Sequence, residues 1–154
     1  MTDSTSLIGN ADLDQIGIVV HDLYAVTQEL TRLFGIGPFR IFEWPLEGVD
    51  PQATYHGQPA SFRLLLAFVT VGKIQIEIVQ PLEGQNIYSD FLRDHGPGLH
   101  HFRLTVPGFE QGVAALTSGG TKAATDAPRR SAIPDIDIDV FIVRVFMASS
   151  SMDG

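Results

Sequence analysis

Three side chains of this 154-residue sequence could build a metal centre: the amide of Gln15, the carboxylate of Glu77 and the imidazole of His101. A neutral imidazole, a carboxylate and an amide oxygen form a hard-to-borderline donor set. Such a set suits Zn, Co, Ni, Mn or Fe(II) and leaves positions open for water or substrate. Glu77 interrupts the run Ile74-Gln75-Ile76-Glu77-Ile78-Val79-Gln80. A buried carboxylate there is unfavourable unless it is paired or bound to a metal. His101 is the second of two adjacent histidines, where the turn Gly96-Pro97-Gly98-Leu99 becomes an alternating strand. Period-2 geometry sends His100 and His101 to opposite faces, one towards a cavity and one towards packing or solvent.

An internal repeat relates two of these positions. Gln15-Ile16-Gly17-Ile18-Val19-Val20 aligns with His101-Phe102-Arg103-Leu104-Thr105-Val106, an offset of 86 residues (101 − 15). The match runs on without a gap, with Leu23 on Phe109, Leu30 on Leu116 and Thr31 on Thr117. Two modules related by a pseudo-twofold place their first strands side by side, so that Gln15 and His101 converge.

Each residue also has a structural alternative. Gln15 could be a satisfied polar group at a strand edge, Glu77 could face solvent beside Gln75, and His101 could be a core histidine with a backbone partner. Joint occurrence with the repeat favours the metal site. Arg63 reads as a surface residue or the charge partner of a carboxylate. His21, His56 and His95 read as turn or loop residues. Glu43 and Tyr55 could line a pocket mouth or simply sit in exposed segments.

The elements that must position these groups follow from periodicity and punctuation. Residues 14–20 read as a buried strand. Asp22 is a helix N-cap, Leu23, Val26, Leu30 and Leu33 mark an amphipathic helix over 23–34, and Gly35 ends it. Residues 37–44 read as a turn and short strand, and 45–59 as a loop. Residues 62–71 and 74–80 form a hairpin about Gly72-Lys73. Gln75, Glu77 and Val79 share one face. A short helix spans 87–94, and a strand opens the second module at 100–106. Phe109, Val113 and Leu116 mark a second helix ended by Gly119-Gly120, and 121–132 is irregular. Residues 135–139 alternate and 141–147 form an apolar strand. The division is an arm at 1–11, a first module at 12–84, a linker with a short helix at 85–97 and a second module at 98–154.

Composition narrows the function. A formal net charge of -8 argues against nucleic acid or an anionic membrane as partner. The absence of cysteine excludes disulfides, thiolate metal sites and cysteine nucleophiles. No basic and then apolar leader opens the sequence, and no apolar run approaches the ~20 residues that span a bilayer. A cytoplasmic protein is the expectation.

The sequence resembles the vicinal oxygen chelate superfamily of glyoxalase I, bleomycin-resistance proteins, extradiol dioxygenases and methylmalonyl-CoA epimerase, with most likeness to the epimerase-like branch. The resemblance rests on Gln15-Ile16-Gly17-Ile18-Val19-Val20-His21-Asp22-Leu23, Leu33-Phe34-Gly35-Ile36-Gly37-Pro38-Phe39, Ile76-Glu77-Ile78-Val79-Gln80-Pro81-Leu82, Phe91-Leu92 and Gly98-Leu99-His100-His101. It implies an α+β fold of two βαβββ modules forming a curved mixed sheet around a cleft, here with the second module shortened at its C-terminus. It also implies a homodimer, a small-molecule substrate and a divalent metal. By position, Gln15 stands where the family usually has a histidine ligand, Glu77 matches the second ligand and His101 the third.

The family's fourth ligand, a glutamate on the last strand, has no match. Taking residues 141–147 as that strand puts Arg144 at its place. The epimerase's general base also lacks a clear counterpart, since Arg63 falls nearby. Two functions follow: a metal-dependent isomerase, epimerase or lyase-like enzyme acting on a small carbonyl compound or CoA thioester through an enolate, with Glu77 in the catalytic centre, or a non-catalytic small-molecule-binding protein of the bleomycin-resistance kind. A dioxygenase ranks last, because only one histidine fits its two-histidine triad.

Overall fold

The computed structural model describes residues 12–105 and the backbone of the strand at 140–144. The elements are β1 (Asp12–Val19), α1 (Leu23–Phe34), β2 (Arg40–Trp44), β3 (Thr54–Tyr55), β4 (Gln58–Pro59), β5 (Arg63–Val71), β6 (Ile74–Glu83), α2 (Ile87–His95), β7 (Gly98–Thr105) and β8 (Val140–Arg144). The expected arm, second-module helix, irregular stretch at 121–132 and alternating run at 135–139 lie outside the described residues. The loop expected at 45–59 contains the small β3–β4 hairpin.

Six strands form one mixed sheet in the order β2-β5-β6-β1-β7-β8. β1 runs parallel to β6 and antiparallel to β7. The first βαβββ module is thus complete, with its first strand beside the first strand of the second. The register of that seam carries the repeat. Ile16 pairs with Phe102, its own counterpart at the 86-residue offset. A twofold axis through this pair carries Gln15–Arg103 onto His101–Gly17, and both pairs are present. The symmetry extends to irregularities. Asp14 is the extra residue where the register shifts between Leu13 and Gln15, and His100 is the extra residue where it shifts between His101 and Leu99. Asp14 and His100 are themselves 86 positions apart. β8 departs from the repeat in direction: it is antiparallel to β7, whereas β6 is parallel to β1.

The sheet's two faces have different cover. α1 begins at Asp22, whose Oδ1 accepts from the Ala25 N–H at 2.9 Å, and ends at Gly35, whose φ of 66° is the left-handed conformation that favours glycine. It packs Leu23, Val26 and Leu30 on Val20, Leu65, Ala67 and Ile78. α2 is capped by buried Asn86, which accepts from the Tyr88 and Ser89 N–H groups. It sets Tyr88, Phe91 and Leu92 against Val19, Leu64, Leu66 and Val79 on the opposite face. Val19, Leu23, Ile78 and Val79 are fully buried, each contributing roughly 1.5–3 kcal/mol of apolar transfer. The α2 helix covers only part of its face, and the polar residues occupy the neighbouring part.

Candidate functional site

Cross-strand register defines a row of residues over the sheet: Arg40 on β2, Phe68 on β5, Glu77 on β6, Gly17 on β1, His101 on β7 and, by backbone position, Arg144 on β8. Glu77 and His101 are separated by the whole of β1. Two strand spacings amount to about 10 Å, too far for an ordinary cross-strand pair. Nevertheless His101 Nε2 lies 3.1 Å from Glu77 Oε2. Gly17 makes this possible. A Cβ at Gly17 would stand 2.0 Å from His101 Cε1 and 2.4 Å from both ring nitrogens. The imidazole therefore occupies the space that any side chain at position 17 would fill. The pair is deep: the His101 and Glu77 side chains are 2% and 12% exposed.

The Nε2–Glu77 contact is close, but its angle is not that of a hydrogen bond, and among the described residues His101 Nε2 is a buried nitrogen with no hydrogen-bond partner. Native structures leave few such atoms unexplained. An unmodified nitrogen and a carboxylate oxygen side by side, not aimed at each other, suit two donors that converge on a third atom.

The expectation that His100 and His101 point to opposite faces is corrected. Both are buried, and their Nδ1 atoms lie 3.0 Å apart. The bulge is the reason: the extra residue interrupts the pleat and brings both side chains to one side. His100 sits between Tyr88 and Phe91, with ring centroids 4.9 and 5.0 Å away.

Gln15 is buried on the same face, one row from Gly17, opposite Gln75 on β6 and Arg103 on β7. Its Nε2 donates to Gln75 Oε1 at 2.7 Å, so Oε1 is the end of the amide turned away from that bond. The structure thus brings Glu77 and His101 into contact and places Gln15 beside them without a hydrogen bond to either. The Asp14 bulge adds an ion pair, with Arg103 Nε donating to Asp14 Oδ1 at 2.5 Å and the Thr105 hydroxyl donating to Asp14 Oδ2.

The remaining candidates are structural. Arg63 bridges Glu43 at 2.5 Å and Glu83 at 2.9 Å, which settles it as the charge partner of carboxylates and accounts for Glu43. Tyr55 donates its hydroxyl to Asp90 Oδ2 at 2.5 Å, docking the β3–β4 hairpin on α2. His21 and His56 are exposed, the latter in the hairpin turn, and His95 ends α2 with its ring against Phe91. Two surface concavities, of about 260 and 350 Å³, lie elsewhere, along α1 and beside His21 and Arg93. Sequence reasoning missed the space left at Gly17 and the burial of His100 beside His101. The signal for Gly17 was present: it is a glycine inside a buried strand, which marks close approach by another group.

A divalent cation fits Glu77 and His101 chemically, with the Gln15 amide oxygen as a third donor of the right type. Among the described residues no group of three His, Cys, Asp or Glu side chains assembles, so the acidic and imidazole donors number two. By register Arg144 stands opposite His101, so the strand position next to this ligand candidate carries no carboxylate.

The comparisons agree with this architecture. The sequence matches the family model of the Glyoxalase/Bleomycin resistance protein/Dioxygenase superfamily over residues 14–139. No curated protein sequence matches the chain. Among solved structures, a hypothetical protein from Bacillus halodurans C-125 superimposes with a TM-score of 0.56 at 22% identity, covering 80% of this chain and 78% of that one. Methylmalonyl-CoA epimerase from Mycobacterium tuberculosis does so with a TM-score of 0.51 at 26% identity, covering 76% and 68%. A Streptomyces coelicolor methylmalonyl-CoA epimerase variant in complex with 2-nitronate-propionyl-CoA gives 0.53 at 22% identity, covering 78% and 77%. With its glyoxalase-like mixed sheet and a family match over most of its length, the chain belongs to the glyoxalase/bleomycin resistance/dioxygenase superfamily.

Proposed function

We propose that the chain is a metal-dependent isomerase, epimerase or lyase-like enzyme that acts on a small carbonyl compound, a CoA thioester foremost, through an enolate-type intermediate. The observation that carries this reading is the contact of Glu77 with His101 across Gly17, with His101 Nε2 buried and, among the described residues, without a hydrogen bond. Gln15, Glu77 and His101 are the residues that would hold the cation. When bound, a divalent cation supplies positive charge where an enolate oxygen develops. Phe42 and Phe68, stacked with centroids 5.7 Å apart, lie on the same face as Glu77 and would keep that part of the sheet apolar around a substrate. As a ligand Glu77 would hold the cation against the carbonyl oxygen, and moving a proton between the two faces of the enolate would fall to groups other than Gln15, Glu77 and His101. The thioester is favoured by the epimerases among the structural neighbours, one of them in complex with methylmalonyl-CoA.

A second reading, a small-molecule-binding protein, is supported by the short set of acidic and imidazole donors and by this aromatic pair. In both readings the partner is a small molecule, a second copy of the chain completes a homodimer, and the setting is the cytoplasm. Among the described residues no helix is long and apolar enough to cross a membrane.

Elemental analysis of protein purified without chelator or metal-affinity tag separates the two. Near-stoichiometric Zn, Co, Ni, Mn or Fe, lost in His101→Ala, together with deuterium uptake next to a thioester carbonyl in heavy water, is expected of the enzyme. Absence of metal after loading with divalent ions overturns it and leaves the binding protein.

A further inference from the structure

We propose that Arg103, held in place by Asp14, is the residue of this face that recognises an anion: it takes a carboxylate of the small molecule whose carbonyl end lies at Glu77 and His101. The substrate class is then a carbonyl compound that also carries an acid group. The carbonyl end rests on the metal-site reading, whereas the carboxylate contact stands on Arg103 and Asp14 alone.

The two bulges act alike at repeat-related places. At His100 the extra residue brings two adjacent side chains to the face of Glu77. At Asp14, its counterpart in the repeat, the extra residue puts a carboxylate beside Gln15 and against Arg103. Arg103 follows His101 by two residues on β7, so both side chains leave the same face, with α-carbons about 7 Å apart. One small molecule spans that distance.

Asp14 holds the guanidinium by one corner. Arg103 Nε donates to Asp14 Oδ1 at 2.5 Å, and the Thr105 hydroxyl donates to Oδ2. Among the described residues the Arg103 Nη1 and Nη2 groups meet no acceptor, which leaves four of its five N–H donors. The other ion-paired arginines are spent differently. Arg32 gives Nε and Nη2 to Glu29, and Arg63 gives both Nη groups to Glu43 and Glu83. Arg93 gives all three nitrogens to Asp90 and Asp94. Those three side chains are 45–65% exposed, whereas Arg103 is 18% exposed. A guanidinium fixed at Nε and mostly withdrawn from water presents its Nη groups as a planar fork, the shape that binds a carboxylate through two hydrogen bonds. Arg63 shows within this fold that one guanidinium serves two carboxylates at once. The rest of the Arg103 row, Thr70, Gln75, Gln15 and Ile142, is uncharged, so the row matches a single negative charge better than a phosphate dianion.

Malonate on metal-free protein is the first probe, followed by NMR at the Arg103 guanidinium and the β7 backbone amides. The wild type is expected to give saturable shifts there. Arg103→Met should weaken binding at least about tenfold, the worth of one hydrogen bond to a charged group. Arg103→Lys should do the same while keeping the ion pair for folding, because its ammonium goes to Asp14 and offers no fork. Arg40→Met removes an equal charge from the row of Glu77 and should leave the affinity unchanged. Asp14→Leu removes a negative charge, yet loss of the held fork should weaken binding, and Asp14→Asn should restore it. On Zn(II)-loaded protein, malonyl-CoA should bind about tenfold more tightly than propionyl-CoA, and Arg103→Lys should abolish the difference. Absence of saturable shifts in the wild type, unchanged malonate affinity in Arg103→Lys, or equal affinity for the two thioesters overturns the proposal. Tighter malonate binding in Asp14→Leu overturns the role of Asp14. Malonate seated on Arg103 in a protein that binds neither thioester overturns the thioester reading and leaves the carboxylate contact standing.

Discussion

The imidazole of His101 lies across the α-carbon of Gly17, and only through that gap does it reach Glu77 two strands away. A sheet normally keeps residues two strands apart from touching, at a separation of about 10 Å. Here the missing side chain of one strand becomes the floor of a contact between its neighbours. The first prediction follows directly. Gly17→Ala would put a methyl group 2.0 Å from His101 Cε1, so the ring must leave. Overpacking of this kind costs about 1–3 kcal/mol. Urea unfolding should show that loss, and metal content should fall with it. A Gly17→Ala protein with unchanged stability and metal content would mean that the ring does not rest on β1.

Glu77 makes the second prediction. Glu77→Gln preserves shape and burial but removes the negative charge beside His101 Nε2. Even outer-shell partners of a metal change affinity about 10–100-fold, so loss of a ligand should weaken Zn(II) or Co(II) binding at least that much. Stability without metal should change little, because no hydrogen bond of Nε2 is lost. Titration calorimetry and thermal unfolding on the same samples check both halves.

How much of this site could be read from the sequence differs residue by residue. Glu77 and His101 stood out because a carboxylate and an imidazole in apolar strands need partners. Gln75, Glu77 and Val79 share a face as the period-2 pattern requires, and α1 spans Leu23–Phe34 as its apolar spacing, cap and glycine require. The 86-residue repeat was legible as sequence and reappears as the axis through Ile16 and Phe102. The bulges were not legible, since an extra residue in a ladder leaves no mark in hydrophobic periodicity. That is why His100 and His101 were expected on opposite faces. The reach of His101 over Gly17 was hidden for a related reason: it depends on tertiary register between three strands, not on either segment alone.

Arg63 supports a prediction of no effect. Its guanidinium is shared between Glu43 and Glu83 at the solvent edge of β2, β5 and β6, and those contacts hold its pKa above the ordinary arginine value, the Glu43 hydrogen bond first. Exposed pairs of this sort contribute little to stability. Arg63→Ala should leave metal content and any thioester proton exchange unchanged, with only a small shift in the urea midpoint. A large loss of exchange in this variant would reinstate Arg63 as part of the site.

The last prediction concerns the hairpin that docks on α2. Tyr55 donates to Asp90, and this bond is the largest cause that lowers the Asp90 pKa from its ordinary 3.8; burial opposes it and Arg93 reinforces it. The same bond raises the Tyr55 phenol above 10.0, with burial and the Asp90 charge acting in the same direction. The signs fix the pH window. A carboxylate with a depressed folded pKa contributes stability that is fully present above its unfolded value and is lost as pH falls through the folded value. A phenol with a raised folded pKa contributes stability that is present below its unfolded value and is lost as pH rises through the folded one. Tyr55→Phe should therefore be less stable than the wild type by a constant margin across neutral pH. That margin should narrow below about pH 4, where Asp90 of the unfolded chain begins to protonate. Urea midpoints of the two proteins measured from neutral to acid pH test this, and parallel curves down to the most acidic point would show that the Tyr55–Asp90 bond does not hold the carboxylate in its charged form.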